Sequence, residues 1–378
     1  MKRVLILGGG FGGLATAHRL RQKLATEDEI ILVDRRPYFI VGFRKTWALA
    51  GISPLEAGQR PIADLTRFGI QVIQESVTAL DPTARAVEIG GQRMEADALV
   101  VALGAELAPD AVPGLAQHAF NVYDPQEIPR AAQALSELQG GRLLVGIFGV
   151  PYKCPPAPYE MALLVSDFVR SRHLEVDVEV FTPQPMALPV IGRERSADFE
   201  SRLAENGILF LPDHKAAAVE AGQVVFSDGR RSYDLLLAVP PHRPPAVVRE
   251  SGLVGSSGWV PVNARTLETE FPGVYAIGDV VHIAMANGMP LPKAGVFAEA
   301  MGDVVAHRIA AAFAGQESQA EFKGEGGCYL EVGGGQVMLV QGRFLTEPAP
   351  EVELTEASPR YLDEKRTFET ERLQTWFG

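Results

Sequence analysis

A strand–helix–strand pattern with glycines at its turn, located at the N-terminus, restricts the fold of this chain more than any other feature. Residues 3–7 (Arg-Val-Leu-Ile-Leu) are typical of a buried parallel strand, and the following residues predict a helix over 14–23. A second apolar stretch, residues 30–33, ends at Asp34. Elements in this order, with an acidic residue about 20 positions beyond the glycines, are typical of a dinucleotide-binding βαβ unit.

The glycines between the first strand and the helix give this turn its binding chemistry. Gly8, Gly10 and Gly13 have G-x-G-x-x-G spacing: the first allows a tight turn, the second lets backbone approach a pyrophosphate, and the third lets helix pack on strand. The helix N-terminus attracts phosphate, and Asp34 is placed to bind a ribose hydroxyl. Further residues predicted to contact the nucleotide are Phe11, Gly12 and Arg35.

Two later segments indicate a flavin rather than a nicotinamide at this turn. Residues 97–104 predict a strand that ends at Gly104, and residues 273–279 predict another that ends at Gly278 and Asp279. Both segments resemble those of flavoproteins with two dinucleotide-binding domains. In such proteins the position of Asp279 is that of an Asp that holds the ribityl chain. We therefore predict FAD as the cofactor.

A further helix, predicted to begin within residues 292–300, follows the second of these strands. Its N-terminus, with Lys293 and Ala294, would direct positive charge at the pyrimidine edge of the flavin and stabilise an anionic reduced form. The alternative for Lys293 is a solvated lysine at the start of a helix.

The order of these segments predicts an α/β fold with two Rossmann-like dinucleotide-binding domains and a small C-terminal α+β tail. The FAD domain comprises residues 1–112 and 241–315, and it is split by an inserted, degenerate NAD(P)-type domain over 113–240. Residues 316–378 form the tail on the acceptor side. Within the tail, residues 337–340 and 343–345 alternate like the strands of a hairpin.

The last residues of the tail, 368–378, carry Leu373, Trp376 and Phe377 among charged residues. They predict a short amphipathic helix that contacts a membrane interface, folds back on the domain or supports a dimer.

The inserted domain lacks a glycine turn at the position where a nicotinamide nucleotide would bind. Residues 149–160 read Gly-Val-Pro-Tyr-Lys-Cys-Pro-Pro-Ala-Pro-Tyr-Glu, and their four prolines have no main-chain N–H with which to bind a pyrophosphate. Cys154 precedes a predicted helix and follows Lys153, so its thiol is predicted to have a depressed pKa. Glu160 is predicted to exchange protons as sulfur species change charge.

Composition excludes several classes of function. The formal net charge of −12 argues against binding to nucleic acid, which requires clustered Lys and Arg. No apolar run is long enough to span a bilayer, and the first strand begins too early for a signal peptide, so we predict a cytoplasmic protein. Two cysteines exclude a disulfide scaffold. The seven histidines are scattered without ligand spacing, and no metal is predicted.

Taken together, these motifs resemble the flavoproteins that oxidise sulfide, namely sulfide:quinone oxidoreductases and the flavin subunit of flavocytochrome c sulfide dehydrogenase. The resemblance extends over essentially the whole chain and is most specific around Cys154. The segments that carry it are residues 8–13, Gly104, 149–160, Gly278-Asp279, 291–300 and 327–329.

The resemblance implies that Cys154 and Cys328 form a redox pair beside the flavin, with Glu160 as the accompanying acid. Sulfide, or a persulfide, would attack a disulfide or persulfide bridge, and electrons would pass through the flavin to a quinone. Zero-valent sulfur would leave as a persulfide or polysulfide. The order of the cysteine roles stays open, as do a homodimer and peripheral contact with the inner face of the cell membrane.

Two departures from the family pattern bear on the acceptor and on the cofactor linkage. Residues 121–124 lack the third cysteine of many sulfide:quinone oxidoreductases, and residues 38–45 lack the cysteine that often tethers FAD in flavocytochromes, so FAD is predicted to bind non-covalently. Two alternatives remain open. One is a flavin subunit that passes electrons to a cytochrome partner. The other is an NAD(P)H-dependent disulfide or persulfide reductase, which would need an unorthodox nicotinamide site.

Overall fold

Two parallel five-stranded sheets organise the chain, which a computed structural model describes over residues 1–378. Residues 4–7 are fully buried, as expected for a strand covered on both faces. In spatial order, the first sheet contains Val274–Ala276, Ala98–Val101, Arg3–Leu7, Glu29–Val33 and Gln71–Ile73. The second contains Phe120–Asn121, Leu235–Val239, Gly140–Ile147, Glu175–Phe181 and Ile208–Leu211. The predicted α/β class with two Rossmann-like cores is confirmed.

The remaining strands form small sheets around these two cores. Three antiparallel sheets contain Val77–Asp81, Ala86–Ile89 and Gln92–Glu95; Ala216–Glu220, Gln223–Phe226 and Arg230–Ser232; and Glu325–Glu331, Val337–Arg343 and Glu351–Leu354. Three two-stranded sheets pair Tyr38–Phe39 with Arg60–Pro61, Glu106–Leu107 with His242–Arg243, and Val260–Pro261 with Val281–His282. In the Glu106–Leu107 pair, the segment that leaves the first sheet runs beside the segment that returns to it.

Nine α-helices connect or cover the sheets. They are α1 (Phe11–Lys23), α2 (Arg44–Leu49), α3 (Leu115–His118), α4 (Ile128–Glu137), α5 (Ala157–Ser171), α6 (Arg193–Glu205), α7 (Ala246–Glu250), α8 (Gly295–Phe313) and α9 (Arg360–Phe377). α1 and α8 pack closely because glycines face each other: a Cβ on Gly302 would lie 2.5 Å from the carbonyl oxygen of Gly12. This contact fixes the N-terminus of α8 relative to the glycine turn.

The hairpin of the tail differs from the predicted one. Val337–Arg343 pairs with Glu325–Glu331, which contains Cys328, rather than with residues 343–345. The turn lies at Gly333, Gly334 and Gly335, whose φ angles of 83°, 58° and 69° are in the left-handed region that glycine adopts without strain. Three consecutive glycines therefore decide the register.

The C-terminal helix α9 folds back on the first sheet and its glycine turn. Leu373, Trp376 and Phe377 are 6%, 3% and 5% exposed, and the Trp376 ring packs edge-on against Phe11 and Phe39 at 5.5 Å. Of the three arrangements that the sequence left open, the structure shows the one in which these side chains are covered by the protein. No helix has the length and apolar character needed to cross a bilayer.

Candidate active site

The glycine turn before α1 leaves space for a pyrophosphate. Gly8 has a φ of 108°, and a Cβ there would lie 2.3 Å from the carbonyl oxygen of Ala102. A Cβ on Gly13 would lie 1.8 Å from the Gly8 carbonyl oxygen, so strand, turn and helix are in direct backbone contact. Gly10 differs, because a Cβ there would meet no atom within 4 Å. An open cradle at a helix N-terminus fits the diphosphate of FAD.

Asp34 is fixed at the end of the second strand by hydrogen bonds. Its carboxylate accepts hydrogen bonds from the main-chain N–H of Gly9 (2.6 Å) and from the Arg36 guanidinium (2.6 Å). Burial raises the pKa of Asp34, but the bonds from Arg36 and Gly9 lower it overall. Arg35 and Arg36 are both exposed, and Arg36 makes an ion pair with Asp34. The sequence did not distinguish these adjacent arginines.

We expect Gly10→Ala and Gly13→Ala to separate cofactor binding from folding. Gly10→Ala should unfold like the unmodified protein but retain FAD about tenfold less tightly, because its methyl group enters only the open cradle. Gly13→Ala should lose about 1–3 kcal/mol in the free energy of unfolding, since its methyl overlaps the Gly8 carbonyl. Flavin-to-protein absorbance after gel filtration and urea unfolding measure the two effects. Full FAD retention by Gly10→Ala would contradict the assignment of the cradle.

A second group of predicted residues lines a single cavity at the N-terminus of α8, namely Gly278, Asp279, Lys293 and Ala294. Lys293 is buried rather than solvated: its Nζ donates to the carbonyl oxygens of Asp279 (2.6 Å) and Val281 (3.1 Å) and lies 3.4 Å from the Trp259 ring centroid. Burial lowers the pKa of Lys293 to about 8 and raises that of the Asp279 carboxyl. Gly104, also predicted to contact the cofactor, has a φ of 66° and open space at its Cβ position.

The loop that carries Cys154 docks on this same segment. The main-chain N–H of Cys154 donates to the carbonyl oxygen of Lys293 (2.7 Å), and Lys153 forms a β-bridge with Lys293. Cys154 has a φ of 51°, a left-handed conformation that costs a non-glycine residue about 1–2 kcal/mol. The inserted domain thus places a strained cysteine against the residues that precede α8.

Cys154 meets Cys328, which the hairpin of the tail supplies. Both side chains are partly exposed, and the two thiols lie close enough for each to shift the pKa of the other. The interaction with Cys328 is the largest cause of a lowered pKa at Cys154, and the same interaction, with burial, raises the pKa of Cys328 well above the ordinary thiol value. The lowered pKa of Cys154 agrees in direction with the sequence-based expectation. Its leading cause is the second cysteine, whereas the sequence had indicated a helix N-terminus and Lys153.

We expect the two thiols to differ in reactivity at neutral pH. Cys154 holds more thiolate than Cys328 at any pH because its pKa is lowered and that of Cys328 is raised, and thiolate is the species that alkylates. Iodoacetamide should therefore modify Cys154 first, by about tenfold or more. Mass spectrometry of peptides after timed quenching measures both rates. In urea both cysteines should react alike, and equal rates in the folded protein would contradict the assignment.

Glu160 belongs to a buried ionic cluster rather than contacting either thiol. Lys365 Nζ donates to Glu160 Oε2 (2.8 Å) and Glu331 Oε1 (2.7 Å), and the Glu331 main-chain N–H donates to Glu160 Oε2 (3.0 Å). The indole N–H of Trp47 also donates to Glu331. Burial raises the pKa of Glu160 despite Lys365. Burial lowers the pKa of Lys365, but the Glu160 and Glu331 carboxylates raise it by more, so the pKa is raised overall.

Lys365 and Glu331 are site residues that sequence reasoning missed. Glu331 lies three positions after Cys328, on the same strand, and this spacing was its one available signal. Lys365 lies in a helix crowded with charged residues, and no pattern distinguishes it from its solvated neighbours. It is nevertheless only 1% exposed.

The inserted domain lacks both elements of a nicotinamide site. A Cβ on Gly149 would lie 3.0 Å from Pro241, so this turn is filled by protein. The strand Glu175–Phe181, whose end corresponds to that of the strand before Asp34, is followed by the buried Thr182 and not by an acidic residue. Neither a pyrophosphate cradle nor a ribose-binding carboxylate is present at these positions.

His242 is buried at the start of the segment that returns to the first sheet. It is 9% exposed, its Nδ1 lies 2.8 Å from the Pro240 carbonyl oxygen, and its Nε2 has no hydrogen-bond partner. Burial, with repulsion from Lys153, lowers the pKa of His242 to about 3, so the imidazole is neutral.

Comparisons with known proteins agree with this geometry. The family described as pyridine nucleotide-disulphide oxidoreductase matches residues 2–302. The chain is 25% identical over 365 residues to the mitochondrial sulfide:quinone oxidoreductase of Mus musculus, covering 91% of this chain and 79% of that protein. It is 27% identical over 331 residues to the sulfide-quinone reductase of Aquifex aeolicus (strain VF5), covering 82% and 76%. The solved sulfide:quinone oxidoreductase of Aquifex aeolicus superposes with a TM-score of 0.90 at 24% identity, over 100% of this chain and 92% of that one. The resemblance predicted from the sequence is confirmed.

Proposed function

Because this chain belongs to the pyridine nucleotide-disulphide oxidoreductase family, we propose that it oxidises sulfide, or a persulfide, and passes the electrons to a quinone. One observation carries the proposal: the Cys154 loop is hydrogen-bonded to the segment that precedes α8, and there the Cys154 thiol lies close to the Cys328 thiol. The names of the mouse and Aquifex relatives support the substrate and the acceptor. FAD, bound at the glycine turn and the α8 cavity, would supply a two-electron acceptor next to the thiols.

The two cysteines divide the sulfur chemistry between them. When the pair is oxidised, hydrosulfide attacks one sulfur, the S–S bond breaks, and a cysteine persulfide and a cysteine thiolate result. The thiol of lower pKa leaves faster, and Cys154 has the lower pKa. Sulfide is therefore proposed to attack at Cys328 and to release the Cys154 thiolate. A second hydrosulfide would then attack the outer sulfur of the Cys328 persulfide and carry it away as disulfane, which leaves a Cys328 thiolate. The two thiolates would re-form the S–S bond, and the two electrons released by this closure would be taken up by bound FAD.

The buried ionic cluster of Glu160, Glu331 and Lys365 is proposed to supply protons to the acceptor. Reduction of a quinone to a quinol takes up two electrons and two protons. Lys365 and Glu160 can hold protons in this buried position, and the half-buried ring of Phe43 lies beside Lys365 and 6.4 Å from the half-buried ring of Phe368. Lys365 Nζ lies 4.9 Å from the Phe43 ring centroid, and the Tyr329 and Phe368 rings lie 6.1 Å apart. We place the quinone at these rings, with peripheral membrane contact on the same side.

One observation favours a second acceptor, a basic redox protein such as a cytochrome. An exposed groove beside Cys328 is lined by Tyr329, Phe368, Arg372 and Thr367 together with three acidic side chains, Asp363, Glu364 and Glu371. This negative rim would attract a positively charged partner, and the attraction would weaken with salt. Sulfide-dependent reduction of cytochrome c that falls steeply between low and high ionic strength would favour this acceptor over a quinone.

Flavin absorbance under anaerobic conditions tests the proposal. Sulfide should bleach the flavin rapidly, a short-chain quinone should restore it, and NADH or NADPH should leave it oxidised because the inserted domain lacks a nicotinamide turn. Bleaching by NADH or NADPH, with no response to sulfide, would overturn the proposal and indicate a reductase. Acid precipitation should release the FAD into the supernatant, since neither cysteine is proposed to tether it.

A further inference from the structure

Tyr123 contacts the backbone of the Cys154 loop at its carbonyl oxygens, whereas Lys293 contacts it at the Cys154 N–H. Its hydroxyl donates to the carbonyl oxygen of Lys153 at 2.8 Å, and the Cys154 carbonyl oxygen lies 3.3 Å from it. The tyrosine is 7% exposed, and burial raises its pKa well above the ordinary value, so the hydroxyl keeps the proton that it donates. The backbone at Cys154 is therefore held by two partners, the Tyr123 hydroxyl and the Lys293 carbonyl.

The ring of Tyr123 is itself fixed. Its main-chain N–H donates to Asn121 Oδ1 (3.1 Å), and its ring packs edge-on against His242 at 5.5 Å and 90°. His242 is held in turn by the Pro240 carbonyl at 2.8 Å, next to the segment that returns to the first sheet. The Tyr123 side chain is thus placed by Asn121, which precedes it in the chain, and by His242, which is remote in sequence.

We propose that Tyr123 is a positioning residue that keeps Cys154 in its left-handed conformation and opposite Cys328. The inference rests on the proposed redox role of the pair. A cysteine at φ 51° relaxes to an extended or right-handed conformation unless its neighbours oppose the change, and either would carry its sulfur away from Cys328. Loss of one hydroxyl would therefore slow S–S closure without removing a reacting group.

Closure of the disulfide by diamide tests Tyr123→Phe independently of sulfide turnover. Each closure forms one S–S bond and transfers two hydrogens to diamide, and the chain contains no other cysteine to compete. We expect Tyr123→Phe to slow closure about tenfold. We also expect the pH midpoint of Cys154 alkylation to rise, because a more distant Cys328 thiol stabilises the thiolate less.

Tyr152→Phe is the matched control, because Tyr152 is a buried tyrosine of the same loop whose hydroxyl donates to Pro155 and not to the Lys153 or Cys154 carbonyl. It should close the disulfide at the unmodified rate and keep the alkylation midpoint. If Tyr123→Phe also behaves like the unmodified protein, or if both variants slow alike, the positioning role is wrong. Failure of sulfide to bleach the unmodified enzyme would overturn the proposed function instead, while the closure assay would still report on Tyr123.

Discussion

Replacing either cysteine should abolish sulfide-dependent reduction of the flavin. Cys154→Ser and Cys328→Ser each remove one sulfur from a pair that is proposed to react as a unit, so we expect each to lower the rate of flavin bleaching on the order of 10³-fold or more. Both variants should retain FAD, because the glycine turn and the α8 cavity do not depend on either sulfur. Stopped-flow absorbance after anaerobic mixing with sulfide measures the rate.

The double variant is the control for this result. Residues that act as a unit show strongly non-additive losses, so Cys154→Ser/Cys328→Ser should be no slower than either single variant. A single variant that keeps half of the bleaching rate would show that the sulfur chemistry takes place elsewhere. Multiplicative losses in the double variant would show that the two thiols act independently.

Removal of the Lys365 ammonium should have the largest effect on stability. Lys365→Met leaves the Glu160 and Glu331 carboxylates buried side by side without their cation, and breaking a buried ion pair in this way costs about 3–5 kcal/mol in the free energy of unfolding. Urea unfolding at neutral pH measures the loss. Arg366→Met is the matched control, because it removes an exposed cation of α9 whose partner, Asp363, is also exposed. We expect that control to change stability by less than about 1 kcal/mol.

The loss in the free energy of unfolding caused by Lys365→Met should become smaller as the pH falls. Burial already raises the pKa of Glu160, and without the ammonium that opposes this effect the pKa lies still further above its unfolded value. The folded state then binds more protons than the unfolded state, so stability falls as pH rises through this range and recovers on acidification. Lys365→Met/Glu160→Gln/Glu331→Gln should regain most of the loss at neutral pH, since no buried charge remains. A pH-independent defect would contradict the cluster.

The nucleotide turn could be predicted in detail because its requirements are local. Gly13 is needed because its backbone lies against that of Gly8, a few positions earlier, and Gly8 is needed because the turn gives it a φ of 108°, so the spacing of the two glycines indicates the turn. The loss of main-chain donors in the loop of residues 149–160 could be predicted for a similar local reason, because Pro151 and the other prolines of the loop have no N–H. The fold class followed from apolar strands and their order.

The sequence by itself therefore determined two Rossmann-like cores, a glycine cradle and a proline-rich loop that carries Cys154. Only the tertiary structure decided that Cys154 meets Cys328, that Lys365 lies between two carboxylates, and that Tyr123 supports the loop. These contacts join the inserted domain, the hairpin and α9, which are remote from one another in the chain. Backbone turns impose steric rules on adjacent residues, whereas a contact between distant residues depends on how whole elements pack, and no local pattern encodes that packing.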